Sequence, residues 1–311
     1  MKAIVTGGAG FIGSNLVDAL LDRGDEVAVV DDLSWGREAN LEGALARGAV
    51  LHTADIRDAA RMGEIAASER PDVVFHLAAQ IDVRVSVADP ALDARTNVEG
   101  TINMLAAAAR DAGARRFVFA STGGAIYGET DIVPTPETVA PAPMAPYGTS
   151  KLCAEQYLGL YERLFGLSTV AMRFGNVYGP RQDPHGEAGV IAIFCGRLRQ
   201  GARPTIYGTG AQTRDYIYVG DVVGGLIAAA DSDAGGAINL GTEEETSVLR
   251  LVELLSAHAG ETGFEPQFED QRLGEIDRSC LAVGRAREVL GWEAAVRIEE
   301  GLGRTYEASA S

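Results

Sequence analysis

Apolar positions along this chain fall into two alternating patterns. Short, continuous runs rich in β-branched residues, KAIVTG, EVAVVDD, AVLHTADI, DVVFHLAA and RFVFAST, are separated by stretches with helical spacing, expected at about 14–22 and 92–112. Strands apolar on both faces that alternate with helices predict an α/β fold, a doubly wound parallel sheet covered on both sides. Such a sheet takes ligands beyond the carboxyl ends of its strands. Five prolines between Pro134 and Pro146 predict a well-defined non-helical loop, with a helix starting after it in APYGTSKLCAEQY. After LSTVAMRFGNVYG, a strand running into a turn, the pattern loosens into glycine-rich loops with a helix near 247–259. The predicted division is a first domain over 1–180, to which some later segments return, and a smaller α/β lobe formed mainly by 181–311. No repeat, low-complexity block or flexible linker interrupts it.

Composition narrows the function classes. A chain of 311 residues that is 46% hydrophobic has enough apolar side chain for a large core. The apolar runs are short and MKAIVTGG lacks the regions of a signal peptide, so a soluble, cytoplasmic protein is expected, with no membrane association. Cys153, Cys195 and Cys280 are scattered without metal-ligand spacing and read as reduced packing residues. His52, His76, His185 and His258 form no local ligand pair, and His76 sits in an apolar run as a core histidine would; no metal is expected. A net charge of −17 disfavours nucleic acid and anionic membranes as partners, while small anionic ligands need only a few local donors.

VTGGAGFIG puts Gly7, Gly10 and Gly13 between the first strand and the first helix, with Phe11 and Ile12 at the turn. Glycine permits close approach of backbone to a pyrophosphate, and the helix N-terminus supplies oriented N–H groups. Asp31 ends the next strand eighteen residues after Gly13, followed by Asp32, and has the position of an acceptor for a ribose 2′-hydroxyl. Its charge favours NAD over NADP, with Arg37 as the nearby cation that would argue otherwise. Asp55 and Ile56 in ADIRD suggest an adenine contact or, equally, a helix cap. Leu77, Ala78 and Ala79 end a strand in small residues that leave room for a cofactor against their backbone.

Tyr147 precedes Lys151 by four residues, so both lie on one helical face. Taken alone, that spacing fits a solvated surface pair as well as a site. The whole set of motifs, however, resembles the extended short-chain dehydrogenase/reductase family, and within it the NAD-dependent nucleotide-sugar 4-epimerases. The resemblance spans nearly the entire chain: TGGAGFIGS, DDLSWG, ADIRD, HLAAQ, FASTGGAIYGE, YGTSK, RFGNVYGPRQ, RDYIYVGDV and RLGEIDRS occur in the family's order.

The resemblance implies a Rossmann-type domain holding NAD, a UDP-sugar substrate and a homodimer built on outward helices near 92–112 and 150–165. A sugar C4–H is not acidic, so inversion requires hydride transfer to the nicotinamide while a base takes the 4-hydroxyl proton; hydride then returns to the other face of the 4-ketose. Tyr147 is the implied base, with Lys151 favouring its phenolate and bonding the nicotinamide ribose. Thr122 is the implied proton relay and Ser121 its support. Implied substrate contacts are Arg214 and Arg272 on the diphosphate, Asn176 on the diphosphate or sugar, and Glu275 where the family usually has an aspartate for the nucleoside ribose.

Dehydratases of the family carry an Asp-Glu pair directly after the catalytic threonine, and decarboxylases a glutamate in that segment. Here Gly123 and Gly124 follow Thr122, which points to epimerisation. The sugar itself stays open between UDP-glucose/UDP-galactose and UDP-glucuronate/UDP-galacturonate. Arg84, Arg181 and the groups at Thr122 to Gly124 are candidates for a 6-carboxylate, and the small Ser279 leaves room for a larger substituent. A silent NAD-binding regulator and a reductase or dehydratase of the same fold are the competing readings.

Overall fold

The computed structural model describes residues 1–184, 189–260, 265–270 and 276–309. Its strands in the first half are β1 (Lys2–Thr6), β2 (Glu26–Asp31), β3 (Val50–Thr53), β4 (Val73–His76), β5 (Arg116–Thr122) and β6 (Ser168–Phe174). Short β7 (Asn176–Tyr178), β8 (Thr205–Tyr207) and β9 (Thr213–Tyr218) follow, then β10 (Gly236–Leu240), β11 (Glu245–Ser247), β12 (Gln267–Glu269) and β13 (Arg278–Ser279).

The strands that are apolar on both faces pair in parallel, because only the centre of a helix-covered sheet buries both sides. One seven-stranded sheet results, in the order β10-β6-β5-β4-β1-β2-β3. This is the Rossmann arrangement with β10 added at the edge. The order reverses between β1 and β4, which pair Val5 with Phe75 and Thr6 with His76. Two apolar layers cover the sheet. One contains Leu16, Leu20, Phe75, Val222 and Leu226, the other Met62, Met104, Phe117, Phe119 and Leu158.

Residues after 180 divide between two places. The helix Val219–Asp231 and β10 join the large sheet, whereas β9 is the centre of a second sheet with β7, β11 and β13, and β8 pairs with β12. The helices Val190–Arg199, Val248–Ala259 and Ile298–Ala308 pack with this second sheet around Phe194, Leu251, Leu255 and Leu302. Among the described residues, no helix is long and apolar enough to cross a membrane.

Two helical expectations need adjustment. The first helix runs from Phe11, not Ser14, because the glycine turn ends at Gly10 and the backbone is helical from the next residue. The stretch expected as one helix over 92–112 is interrupted: helix Pro90–Ala94 widens into a π turn over Arg95–Glu99, tightens over Gly100–Ala106 and widens again over Ala107–Ala112. Wide turns open where a side chain bonds to a neighbouring segment. Asn97 does so, its amide donating to the Gln80 carbonyl at 2.8 Å.

One buried cation fixes the edge of the large sheet. Arg116 opens β5 and is 1% exposed; its guanidinium donates to the Ala229 carbonyl, the Ala234 carbonyl and the Ser168 hydroxyl. It thereby bonds one carbonyl in the last turn of the helix Val219–Asp231 and one in the loop just beyond it. Burial pulls its pKa down to about 10. Replacing Arg116 with Ala strands these acceptors, and urea denaturation should record a loss of at least about 2 kcal/mol; an unchanged midpoint would show that the cation contributes nothing to the edge.

Candidate active site

The loop after β1 is shaped by glycine. Gly7 has a φ of +68°, and a Cβ there would lie 2.7 Å from the Ala78 nitrogen, so β1 and the chain leaving β4 meet backbone to backbone. A Cβ on Gly13 would be 2.1 Å from the Gly7 carbonyl. Thr6 closes the contact, its hydroxyl accepting from the N–H groups of Leu77 and Ala78 at 3.2 Å each. Gly10 differs: a Cβ there would meet only the Gly7 carbonyl, at 3.2 Å, and no side chain caps the helix Phe11–Asp22 that begins beyond it. Phe11 and Ile12 form the first turn of that helix and are partly buried. Open backbone and uncapped helical N–H groups are what a pyrophosphate requires, so these residues fit a dinucleotide.

Asp31 is buried at the end of β2. Its carboxylate accepts from Ala9 N–H and Leu33 N–H, both at 2.9 Å. Burial raises its pKa, and those two bonds oppose the shift. A carboxylate has further lone pairs, so a ribose hydroxyl can still be received. Asp32 instead bonds Ser34. Arg37, the cation that would argue for NADP, is paired with Asp183 at 2.7 Å. Asp55 is held by Arg57, whose side chain and backbone both donate to it. The cap that the sequence offered as its alternative role belongs to Asp58, which accepts from Arg61 N–H. Ile56 is buried against Gly100, while Leu77, Ala78 and Ala79 are partly exposed beside the Gly7 loop.

The helix Pro146–Phe165 starts with proline at its first turn and carries Tyr147 and Lys151 toward the carboxyl end of β5. Lys151 is 3% exposed, which removes the surface-pair reading. Its ammonium donates to the Ala120 carbonyl at 2.9 Å and lies 4.7 Å from the centre of the Phe119 ring. Burial lowers its pKa to about 8 against the opposing pull of Asp93 and Glu155. Tyr147 is half-buried and hydrogen-bonded to Thr122; burial, with Asp93 adding to it, pushes its pKa up to about 12. Lys151 Nζ lies 6.0 Å from the centre of the Tyr147 ring. In the protein alone, burial is the largest influence on the phenol.

The two hydroxyls at the end of β5 separate. Thr122 meets Tyr147 and accepts from Ala125 N–H at 3.2 Å. The pleat directs Ser121 elsewhere: its hydroxyl donates to Glu155 at 2.6 Å. Glu155 is also bonded twice by the buried Arg173, whose remaining donor reaches the Tyr127 hydroxyl. Tyr127 donates to Asn239, which holds the carbonyls of Thr135 and Ala282. Glu155, Arg173 and Tyr127 were missed by sequence reasoning. Glu155 lies one further turn along the face of Tyr147 and Lys151, so its spacing was a usable signal; Arg173 and Tyr127 lie within the motifs RFGNVYGPRQ and FASTGGAIYGE, but nothing local pairs them.

Beyond the sheet, Asn176 opens β7, and its side-chain oxygen is 3.5 Å from where a Gly124 Cβ would be. Arg214 lies on β9 next to Ser279 of β13, and its guanidinium donates to the Thr213 carbonyl. Gly123 is packed under Leu281, 2.4 Å from the position of a Cβ. Arg84 is exposed on the helix Val83–Ala88. Arg181, a candidate carboxylate clamp, is paired with Asp18 of the first helix at 2.6 Å. Arg272 and Glu275 lie outside the described residues. Among the described residues no cluster of three or more His, Cys, Asp or Glu is arranged for a metal ion.

Residues 3–241 match the NAD dependent epimerase/dehydratase family. A UDP-glucose 4-epimerase of Mycolicibacterium smegmatis is 48% identical over 311 residues, covering 99% of this chain and 98% of that protein. The crystal structure of the Thermotoga maritima UDP-glucose 4-epimerase with UDP-glucose superposes with a TM-score of 0.96 at 44% identity, covering 100% and 99% of the two chains. The Thermus thermophilus UDP-glucose 4-epimerase complex with NAD gives 0.92 at 41% identity over 100% and 99%. With the glycine loop, the switch point between β1 and β4, and Tyr147 one turn from buried Lys151, the matched length leads to one conclusion: this chain belongs to the NAD-dependent epimerase/dehydratase family.

Proposed function

We propose that this protein is a UDP-sugar 4-epimerase that interconverts UDP-glucose and UDP-galactose, with NAD retained through the cycle. The observation that carries the reading is the contact between Thr122 and Tyr147 at the carboxyl end of β5, one helical turn from Lys151 and beside the crevice of the Gly7 loop. NAD, when bound, supplies the acceptor and donor for the C4 hydride. Every proton step falls to the chain. Tyr147 accepts the 4-hydroxyl proton, directly or through Thr122, and returns it after the ketose has turned over. Lys151 bonds the cofactor's ribose and maintains positive charge near the phenol. Asp31 receives the adenosine ribose, and the N–H groups at Gly10 to Gly13 receive the pyrophosphate.

The alternatives are disfavoured on steric and electrostatic grounds. A carboxylate at 123, as a dehydratase requires, would displace buried Leu281, whose N–H is held by buried Asp215 at 3.1 Å. Arg181, engaged with Asp18, is withdrawn from a sugar carboxylate, which weighs toward a neutral hexose over a uronate. The relatives named for UDP-glucose point the same way. On the substrate side, Arg214 and Arg272 are proposed for the diphosphate, Glu275 for the nucleoside ribose, and Asn176 and Gly123 for the hexose. Ser279, beside Arg214, leaves the hexose site wide.

A homodimer fits the groove of about 790 Å3 between the helix Pro146–Phe165 and the segment 90–102, lined by Ala94, Val98, Ile102, Met144 and Cys153. Such a groove would be covered by the same two helices of a second copy. Sedimentation equilibrium should return twice the chain mass of 32.7 kDa, and a monomer at micromolar concentration would end the dimer proposal.

The defining assay supplies UDP-glucose and UDP-glucuronate separately, without added cofactor, and resolves the 4-epimers by chromatography. UDP-galactose should form, with little net absorbance change at 340 nm; no turnover of either sugar, with NAD still bound, would favour the silent regulator. Tyr147→Phe should lower kcat by roughly two to four orders of magnitude with the fold intact, as loss of a general base does. Wild-type turnover in that variant would remove Tyr147 from the proton path.

A further inference from the structure

Against the helix that carries Tyr147 and Lys151 lies a closed polar cluster centred on Asp93, a residue outside the sequence motifs. Asp93, on the helix Pro90–Ala94, is 1% exposed. One oxygen accepts from the Gln80 and Asn97 amides at 3.0 Å each, and the other from the Ser150 hydroxyl. Gln80 and Asn97 are locked to each other as well: Gln80 N–H donates to the Asn97 side chain, and the Asn97 amide donates to the Gln80 carbonyl, both at 2.8 Å. The π turn over Arg95–Glu99 is where Asn97 enters this arrangement. All three donors to the Asp93 carboxylate are neutral. A buried carboxylate with neutral donors projects its charge onto whatever ionisable groups lie nearest, because little water screens it. Ser150, which donates to Asp93, stands between Tyr147 and Lys151 on the helix Pro146–Phe165, and the carboxylate's charge acts on both of them.

We propose that Asp93 is a positioning residue that sets the resting protons of the site, keeping the Tyr147 hydroxyl protonated and the Lys151 amine charged until a cationic group is seated beside them. The inference rests on the reading of Tyr147 as the proton acceptor. The other charged groups around the pair do not substitute for Asp93. Glu155 acts on Lys151 but is neutralised by Arg173. His76, buried between Thr6 and Thr101, is held neutral by burial and by Lys151, its pKa falling to about 3. Asp82 is committed to the N-terminus of the helix Val83–Ala88, accepting from the N–H groups of Arg84 and Val85. Arg84, Arg95 and Glu99 are solvent-exposed on neighbouring helical segments. Burial opposes the Lys151 charge, and Asp93 counters it; burial also opposes the Tyr147 phenolate, and Asp93 adds to that.

The functional consequence follows from charge alone. An oxidised nicotinamide is cationic and a reduced one is neutral, so the phenolate is favoured when a proton must be accepted. Once that cation is gone, Asp93 returns the balance to the phenol, which is the proton donor needed for the return step. Without Asp93 the tyrosine would stay ionised more readily in both states.

The test reads the ionisation of Tyr147 directly, as the tyrosinate absorbance near 295 nm in holoenzyme with oxidised or reduced cofactor, taking the Tyr147→Phe protein as the blank. In the wild-type reduced form Tyr147 should remain protonated at about pH 10, the ordinary value for tyrosine. Asp93→Asn should shift the transition downward, raising the ionisation constant about tenfold or more, while Ser150→Ala, which keeps the carboxylate, should leave it unmoved. Ionisation below about pH 10 in the wild-type reduced form overturns the proposal without any variant at position 93. An unmoved transition in Asp93→Asn overturns it too, and an equal shift in Ser150→Ala would show a packing effect in place of charge. The titration needs no turnover, so normal epimerisation with an unmoved transition defeats this inference alone.

Discussion

Parallel pairing of the large sheet is the constraint on which the rest of this protein depends. Seven strands run in one direction, so all of their carboxyl ends emerge along one edge. The Gly7 loop, Asp31, the Ala78 turn and Thr122 follow β1, β2, β4 and β5 in turn, although they are separated by up to more than a hundred residues of chain. The crevice opens between β1 and β4 because the strand order reverses there. Its floor is backbone against backbone, since Gly7 has no Cβ to keep Ala78 away.

The second organising feature is the way buried charge is distributed around one helix. The helix Pro146–Phe165 carries Tyr147, Lys151 and Glu155 on successive turns, and each meets a different environment. Glu155 and Arg173 form an ion pair with both side chains nearly excluded from water; burial draws the arginine's pKa down, but Glu155 and Tyr127 together leave it raised. Such a pair adds little stability over a hydrophobic replacement, but losing one partner is costly, so it fixes geometry. Through Tyr127 and Asn239 it ties the helix and β6 to the Thr135 and Ala282 carbonyls, and therefore to the segment bearing Leu281 over Gly123. The helix Pro146–Phe165 and the segment bearing Leu281 are thus joined by one chain of buried hydrogen bonds.

Much of this was legible in the chain itself. Strands apolar on both faces, the glycine turn with Asp31 after it, and the Tyr147–Lys151 spacing are local properties, set by steric and periodic rules that act within a few residues. They carried the fold class and the glycine loop that fits NAD, whereas the Tyr147–Lys151 pair was singled out only by the ordered set of motifs around it. Local rules also misjudged some boundaries: the first helix begins at Phe11, and the stretch over 92–112 is broken by two wide turns, the first of which holds Asn97 where it bonds Gln80 and Asp93.

What only the tertiary structure decided were partners distant in sequence. Ser121 and Thr122 are adjacent and chemically alike, yet one faces Glu155 and the other Tyr147, because the strand's pleat and the placement of the helix over it determine their neighbours. Arg181 pairs with Asp18 on the first helix, a partner that no local rule indicates. Asp93 had no motif at all; its importance arises from exclusion of water and from the proximity of Lys151 and Tyr147, both set by how separate helices pack. Residue type and spacing determine which chemistry the chain can attempt, whereas burial and long-range contact determine which proton sits where, because an ionisation energy depends on everything that surrounds the group.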